Sequence, residues 1–291
     1  MRWRRSPGGG SGIEDRRRSG GGGGRIPGGR IGGGVGGLGL VGVIVALLVV
    51  FLGGGGGRAF DVGDALEPFP EAPAATEDVI DDGPDPTKEF VAFVVEDVQS
   101  AWDQIFAEAG QRYEPTTLVL FTGGVNTACG AASSAAGPFY CPADRRIYLD
   151  LGFFRELEQR FGAPGDFAQA YVIAHEFGHH IQNLLGIMDQ VQAAQAEGPG
   201  DANELSVRLE LQADCLAGVW GHTAYREGQL EEGDLEEGLN AAAAVGDDRI
   251  QQRATGRIDR ESFTHGSAEE RREWFQRGFD EGTIEACDTF A

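Results

Sequence analysis

Positive charge is scarce in this sequence: 24 Lys and Arg stand against 46 Asp and Glu, a formal net charge of −22 over 291 residues. A chain of that sign repels phosphate backbones, which excludes nucleic acid as a partner. Histidine is scarcer still, with five in all, and three of them fall within six residues in "HEFGHH". Cysteine is limited to Cys129, Cys141, Cys215 and Cys287. An even number predicts two disulfides in an oxidising compartment. Cys129–Cys141 is the local pairing, which leaves Cys215–Cys287; free buried thiols are the alternative. No internal repeat is present.

Charge is missing altogether from Ile31 to Gly57, and the centre of that stretch, "LGLVGVIVALLVVFL", is continuously apolar apart from glycine. Fifteen helical residues span roughly 22 Å, which the glycine flanks extend toward the roughly 30 Å of a bilayer core. Eight arginines precede it, and acids dominate beyond it. The positive-inside bias then predicts a cytoplasmic N-terminus and a main domain outside the cytoplasmic membrane. A cleaved signal peptide would have an unusually long basic region and lacks an A-x-A site. A buried core helix does not fit low-complexity glycine on both flanks. The expected organisation is a disordered basic cytoplasmic tail (1–30), a single transmembrane anchor in the lipid bilayer (31–57), an acidic Pro/Gly linker (58–84) and a folded domain (85–291).

Within the domain, Asp85-Pro86 predicts a helix start, and the following apolar residues carry it to about Gly110. "TTLVLF" (116–121) and "RRIYLDL" (145–151) alternate as strands, with a small-residue loop between them. Asp166 is the expected cap of the next helix and Gly186 its end. Another helix runs from about Asn203 past Trp220, one spans about 234–253, and a last one opens at Ser267. Helix, strands, then helices predict an α+β domain, mainly helical with a small strand region.

On the Asp166–Gly186 helix, Phe167, Tyr171, Ala174, Gly178, Ile181 and Leu185 form an apolar stripe at 3-4 spacing. His175 and His179 fall together to one side, only about 40° apart, and Glu176 lies further round the same flank. That is the geometry of H-E-x-x-H: two imidazoles converge on a metal, and the carboxylate reaches a water beside it. The pattern occurs by chance in roughly one chain in a hundred of this length, so it calls for a second feature. The extended pattern with a third histidine is closed, because its positions hold Gln182 and Leu185. "RLELQADCLAGVW" (208–220) supplies the alternative. Glu210 and Asp214 share one helix face. Glu210 is the expected third ligand, and Asp214 the acceptor that fixes the tautomer of a ligand histidine.

"HEFGHH", "ELQADCLAG" and "SFTHGS", with "MRWRR" and "GPFYCPADRRIYLDL", resemble the bacterial family of neutral zinc metallopeptidases over the whole chain apart from the linker. The resemblance implies a zincin-like fold of the Glu-ligand type, a membrane anchor and peptidase chemistry on a protein or peptide substrate. The expected centre is Zn2+ held by His175, His179 and Glu210, with Glu176 as general base. His265 is the candidate donor to the oxyanion, although Ser267 and Glu270 make its surroundings a capping box as well. His180, His222 and Cys215 read as non-ligands and Tyr171 as core. By analogy with zincins the substrate edge falls to "RRIYLDL" or to residues 130–137. A non-catalytic anchored module with a structural zinc is the alternative function.

Overall fold

The computed structural model describes residues 1–4, 10–17, 85–198 and 202–291. The Asp85 side chain accepts from the Lys88 N–H and Pro86 fills the first turn of α1 (Pro86–Glu108). Phe90, Val94, Val98, Trp102 and Phe106 line its buried side. A four-stranded sheet follows in the order β1 (Ile13–Asp15), β2 (Thr117–Phe121), β6 (Arg146–Asp150), β5 (Phe139–Cys141). β1–β2 and β2–β6 are parallel and β5–β6 antiparallel. Alternate residues of the central strands serve two cores: Leu118, Leu120, Ile147 and Leu149 join the helices, while Val119, Phe121 and Tyr148 face a small hairpin. The hairpin, β3 (Gly124–Thr127) with β4 (Gly130–Ser133), is fastened to β5 by the Cys129–Cys141 disulfide.

Among the described residues seven α-helices follow: α2 (Gly152–Gln159), α3 (Asp166–Leu184), α4 (Ile187–Glu197), α5 (Ala202–Arg226), α6 (Asp234–Ala244), α7 (Asp247–Thr255) and α8 (Ala268–Glu281). The described residues form an α+β, mostly helical body. α5 and α8 pack backbone to backbone: a Cβ at Gly278 would lie 1.9 Å from the Cys215 carbonyl oxygen, and one at Gly218 would lie 2.2 Å from that of Phe275. The Cys215–Cys287 disulfide closes the C-terminal turn onto α5.

Four expectations need correction. The helix at 234–253 is two helices, because Gly246 turns extended and a Cβ there would meet the Ala268 N at 2.4 Å. Asp166 does not cap α3; it is the first helical residue, after Gly165. α2 and α4 occupy stretches expected as connections. The strand 146–150 is not an edge, since β2 and β5 flank it; β1 and β5 are the edges of this sheet among the described residues, and residues 130–133 belong to the hairpin.

The tail expected over residues 1–30 is folded wherever it is described. β1 pairs with β2, the Arg2 N–H donates to the Gln229 carbonyl at 2.6 Å, and Trp3 packs on Phe90 at 5.5 Å between centroids. Ion pairs of both senses join this segment to the domain: its acids meet Arg146 (Glu14, 2.7 Å) and Lys88 (Asp15, 2.8 Å), and its Arg17 meets Asp85 at 2.7 Å. A strand hydrogen-bonded into the domain's sheet lies on the same side of a membrane as that sheet. Among the described residues no helix is long and apolar enough to cross a membrane. The expected anchor (31–57) and linker (58–84) lie outside the described residues.

Candidate metal centre

α3 meets α5 where no side chain holds them apart. A Cβ on Gly178, inside the His175–His179 turn, would lie 2.8 Å from the Ala213 carbonyl oxygen. This close approach sets the turn bearing His175, Glu176 and His179 against the turn bearing Glu210 and Asp214. His175 Nε2 lies 3.2 Å from Glu210 Oε2, and His179 Nε2 lies 3.4 Å from Glu210 Oε1. One ligand atom of each of the three falls within 4.8 Å of the others.

The remaining ring nitrogens are committed elsewhere. His175 Nδ1–H donates to Asp214 Oδ1 at 2.8 Å, and His179 Nδ1–H donates to Gln182 Oε1 at 2.9 Å. Each Nε2 is thereby the nitrogen whose lone pair is left for a metal. Burial pulls the His175 pKa down, but Asp214 and Glu210 more than reverse this and hold it at about 10. Glu210 is buried too, yet the neighbouring histidines hold its carboxyl well below the usual carboxylate range. Both shifts arise from the same attraction between the imidazoles and the buried carboxylates. Two imidazoles and one carboxylate are the donor set of a three-ligand zinc site. Beside them Glu176 Oε2 is buried without a hydrogen-bond partner, and burial raises its pKa. A buried oxygen left bare at this point fits a water held between it and a metal.

Asp214 is fully buried and holds the expected position against His175. It is itself gripped by a residue the sequence did not reveal: Arg271 donates from Nε to Oδ2 at 2.7 Å and from Nη2 to Oδ1 at 2.9 Å. Tyr171, expected as core alone, also donates its hydroxyl to Asp214 and accepts from Arg271 at 3.2 Å. Burial works against the charge on Asp214, but Arg271 and His175 keep its pKa lowered. One signal pointed to Arg271: it interrupts the buried stripe Ala268, Phe275, Gly278 and Phe279 of α8 with a charge.

His265 lies beside the centre, near enough for the Glu210 charge to raise its pKa against the effect of burial. Asp247 orients it, accepting from the His265 N–H at 2.6 Å and facing Nδ1 at 3.3 Å. With Nδ1 turned to Asp247, Nε2 is the nitrogen left for a substrate. The Ser267–Glu270 capping box is present as well, so "THGS" both starts α8 and places the imidazole. His180 lies off the centre: Nε2–H donates to the Glu114 carbonyl at 2.7 Å, and Nδ1 meets the Tyr140 hydroxyl at 3.1 Å. His222 Nδ1–H donates to the Phe279 carbonyl at 2.7 Å, and Cys215 is in its disulfide.

Comparison with known proteins gives a family for the chain. The family described as "Putative neutral zinc metallopeptidase" matches residues 1–290. The chain is 45% identical over 250 residues to the uncharacterized protein YpfJ of Escherichia coli (strain K12), covering 86% of each chain. It is 48% identical over 190 residues to the uncharacterized protein Rv2575 of Mycobacterium tuberculosis (strain ATCC 25618 / H37Rv), covering 62% of this chain and 64% of that protein. No solved structure matches it.

Proposed function

The chain belongs to this family of neutral zinc metallopeptidases, and from that premise and the site's geometry we propose that it is a zinc-dependent peptidase hydrolysing peptide bonds of protein or peptide substrates. One observation carries the reading. His175, His179 and Glu210 converge with both histidine Nδ1 atoms already engaged, and the bare oxygen of Glu176 stands beside them.

Zinc held by His175, His179 and Glu210 would supply Lewis acidity, making a water acidic and polarising the scissile carbonyl. Glu176 accepts the proton of the attacking water at its free oxygen and returns it to the leaving amine. Its raised pKa suits a group that must both take and give a proton. His265, turned by Asp247, donates from Nε2 to the carbonyl oxygen as charge gathers there. Asp214, fixed by Arg271, holds the His175 ring. A purely structural zinc would use four protein ligands. The three ligands with an adjacent spare carboxylate argue for catalysis.

The test measures zinc content by elemental analysis and cleavage of an unfolded protein, for the full chain and for Glu176→Gln. The expected result is one zinc in each, with turnover lost only in the variant. Stoichiometric zinc without turnover on a broad peptide library would shift the reading to the structural module.

For the location, the reading keeps residues 31–57 as a membrane segment, but one that enters without crossing, with residues 1–4, 10–17 and the domain together on one face of it. The two disulfides favour the outer face. Protease added to intact spheroplasts should then remove epitopes placed at both ends of the chain. Protection of one end alone would overturn this arrangement.

A further inference from the structure

Next to His179 two glutamines are buried: Gln182 is 0% exposed and Gln212 is 6% exposed. An amide can be turned either way round, so its direction has to be read from partners whose roles are fixed. Two such partners are present, both backbone carbonyls. The Cys287 carbonyl accepts from Gln212 Nε2 at 2.9 Å, and the Leu209 carbonyl accepts from Gln182 Nε2 at 2.6 Å. Gln212 must therefore present its oxygen to Gln182, whose Nε2 donates to it at 3.1 Å. Gln182 in turn presents its oxygen to His179 Nδ1 at 2.9 Å. An oxygen there accepts only from a ring N–H, so the chain of amides dictates that His179 carries its proton on Nδ1. Nε2 is then the nitrogen that faces Glu210 at 3.4 Å.

The reference point of this chain is the C-terminal turn Glu285–Cys287, which the disulfide to Cys215 ties to α5. Thr289 Oγ1 adds a bond to the Arg208 carbonyl at 2.7 Å. Gln182 also holds the carbonyl of Leu209, the residue before Glu210, so the same side chain steadies both ligand-bearing helices.

We propose that Gln182 and Gln212 are positioning residues that set the tautomer of His179 for metal binding, with the disulfide-pinned C-terminal turn as their anchor. The inference rests on the metal reading of the site. His175 receives the same service from a charged pair, Asp214 and Arg271, and His179 receives it from neutral amides of fixed direction. The chain thus supports its two imidazoles by different means.

The experiment uses the full chain with zinc as the probe. Zinc affinity is measured by chelator competition, and the His179 ring proton is followed by nitrogen-resolved proton NMR of the zinc-loaded protein. Gln182→Leu should weaken zinc binding by roughly 10- to 100-fold and expose the His179 Nδ1 proton to solvent exchange, leaving that of His175 protected. Gln182→Glu keeps an acceptor for Nδ1, so it should bind zinc more tightly than Gln182→Leu. Gln212→Leu should fall between wild type and Gln182→Leu. Replacing Cys215 and Cys287 together by Ala should reproduce the Gln212→Leu effect and not add to it. Zinc affinity within twofold of wild type in Gln182→Leu, with the His179 proton still protected, would overturn the proposal. So would Gln182→Leu binding zinc more tightly than Gln182→Glu, the order a packing role predicts. If wild type itself takes up no stoichiometric zinc, the metal reading fails first, and the proposal falls with it.

Discussion

α3 meets clustered carboxylates at two places, and only one of them looks like a metal centre. Along its length His175 and His179 face Glu210. At its first residue Asp166 lies with Asp234 and Glu237, again with ligand atoms within 4.8 Å of one another. At this second cluster the oxygens are met by the chain's own donors. The Met1 ammonium reaches Asp166 at 2.6 Å and Asp234 at 3.2 Å, and Glu237 accepts from the Phe167 N–H at 3.1 Å. At the first cluster the histidine Nδ1 atoms are satisfied, and what is left over is two Nε2 atoms, a carboxylate and a bare Glu176 oxygen. Convergent acids alone do not make a site. What distinguishes one is which atoms the fold leaves unpaired and whether their partners fix the form that binds a ligand.

The sharpest way to break this contrast is to remove one acid from each cluster. Glu210→Ala should abolish stoichiometric zinc binding by elemental analysis, since the centre then has two ligands. Asp234→Asn should leave zinc at wild-type content. Zinc retained in the first variant or lost in the second would reverse the assignment of the two clusters.

The second largest effect concerns stability. Asp214 is fully buried, and its charge is balanced by Arg271, itself 3% exposed. Arg271→Leu strands that carboxylate and should cost about 3–5 kcal/mol in the unfolding of the zinc-free protein. Asp234→Asn removes one of several acids around the Met1 ammonium, so its cost should be smaller, about 1–2 kcal/mol. Thermal or urea unfolding of the two variants side by side tests the order. Equal costs would mean that the two clusters are alike as structural elements.

The contrast also marks how much could be read in advance. His175, Glu176, His179, Glu210 and Asp214 were legible because helical periodicity puts each group on one face, and a ligand set needs only two such faces to meet. α1, β2 and β6 were legible for the same reason, as apolar periodicity within one element. Arg271 lies 57 residues from Asp214, and Asp247 lies 18 from His265. Those pairings come from the α5–α8 packing and from the break at Gly246, which local patterns do not encode. Tyr171 was half legible: its ring belongs to the apolar stripe, but its hydroxyl reaches past the stripe to Asp214. β1 was hidden by its setting, three residues in a Gly- and Arg-rich stretch too short to show a period. Its strand character is supplied by the edge of β2.

The smallest expected effect separates the two regions by pH. Asp15 is held well below the usual carboxylate range, first by hydrogen bonds from the Arg17 side chain and then by Lys88, against the effect of burial. Glu14 is lowered through Arg16 and Arg146. Asp85 is lowered through the Lys88 N–H and Arg17, although burial opposes it. A carboxylate whose folded pKa is depressed stabilises the folded form above its unfolded value, about 4, and loses that contribution as pH falls through the folded value. Docking of residues 1–4 and 10–17 should therefore persist down to about pH 4 and loosen below it. Emission from Trp3, which packs on Phe90 and Phe93, reports the change when compared with Trp3→Phe. Metal binding needs unprotonated imidazoles, so acid should expel zinc at a higher pH than it frees the N-terminal segment. A metal indicator and Trp3 emission read in one titration give both midpoints. If the two coincide, docking of the segment and the metal centre form one cooperative unit, and the separation drawn between them does not hold.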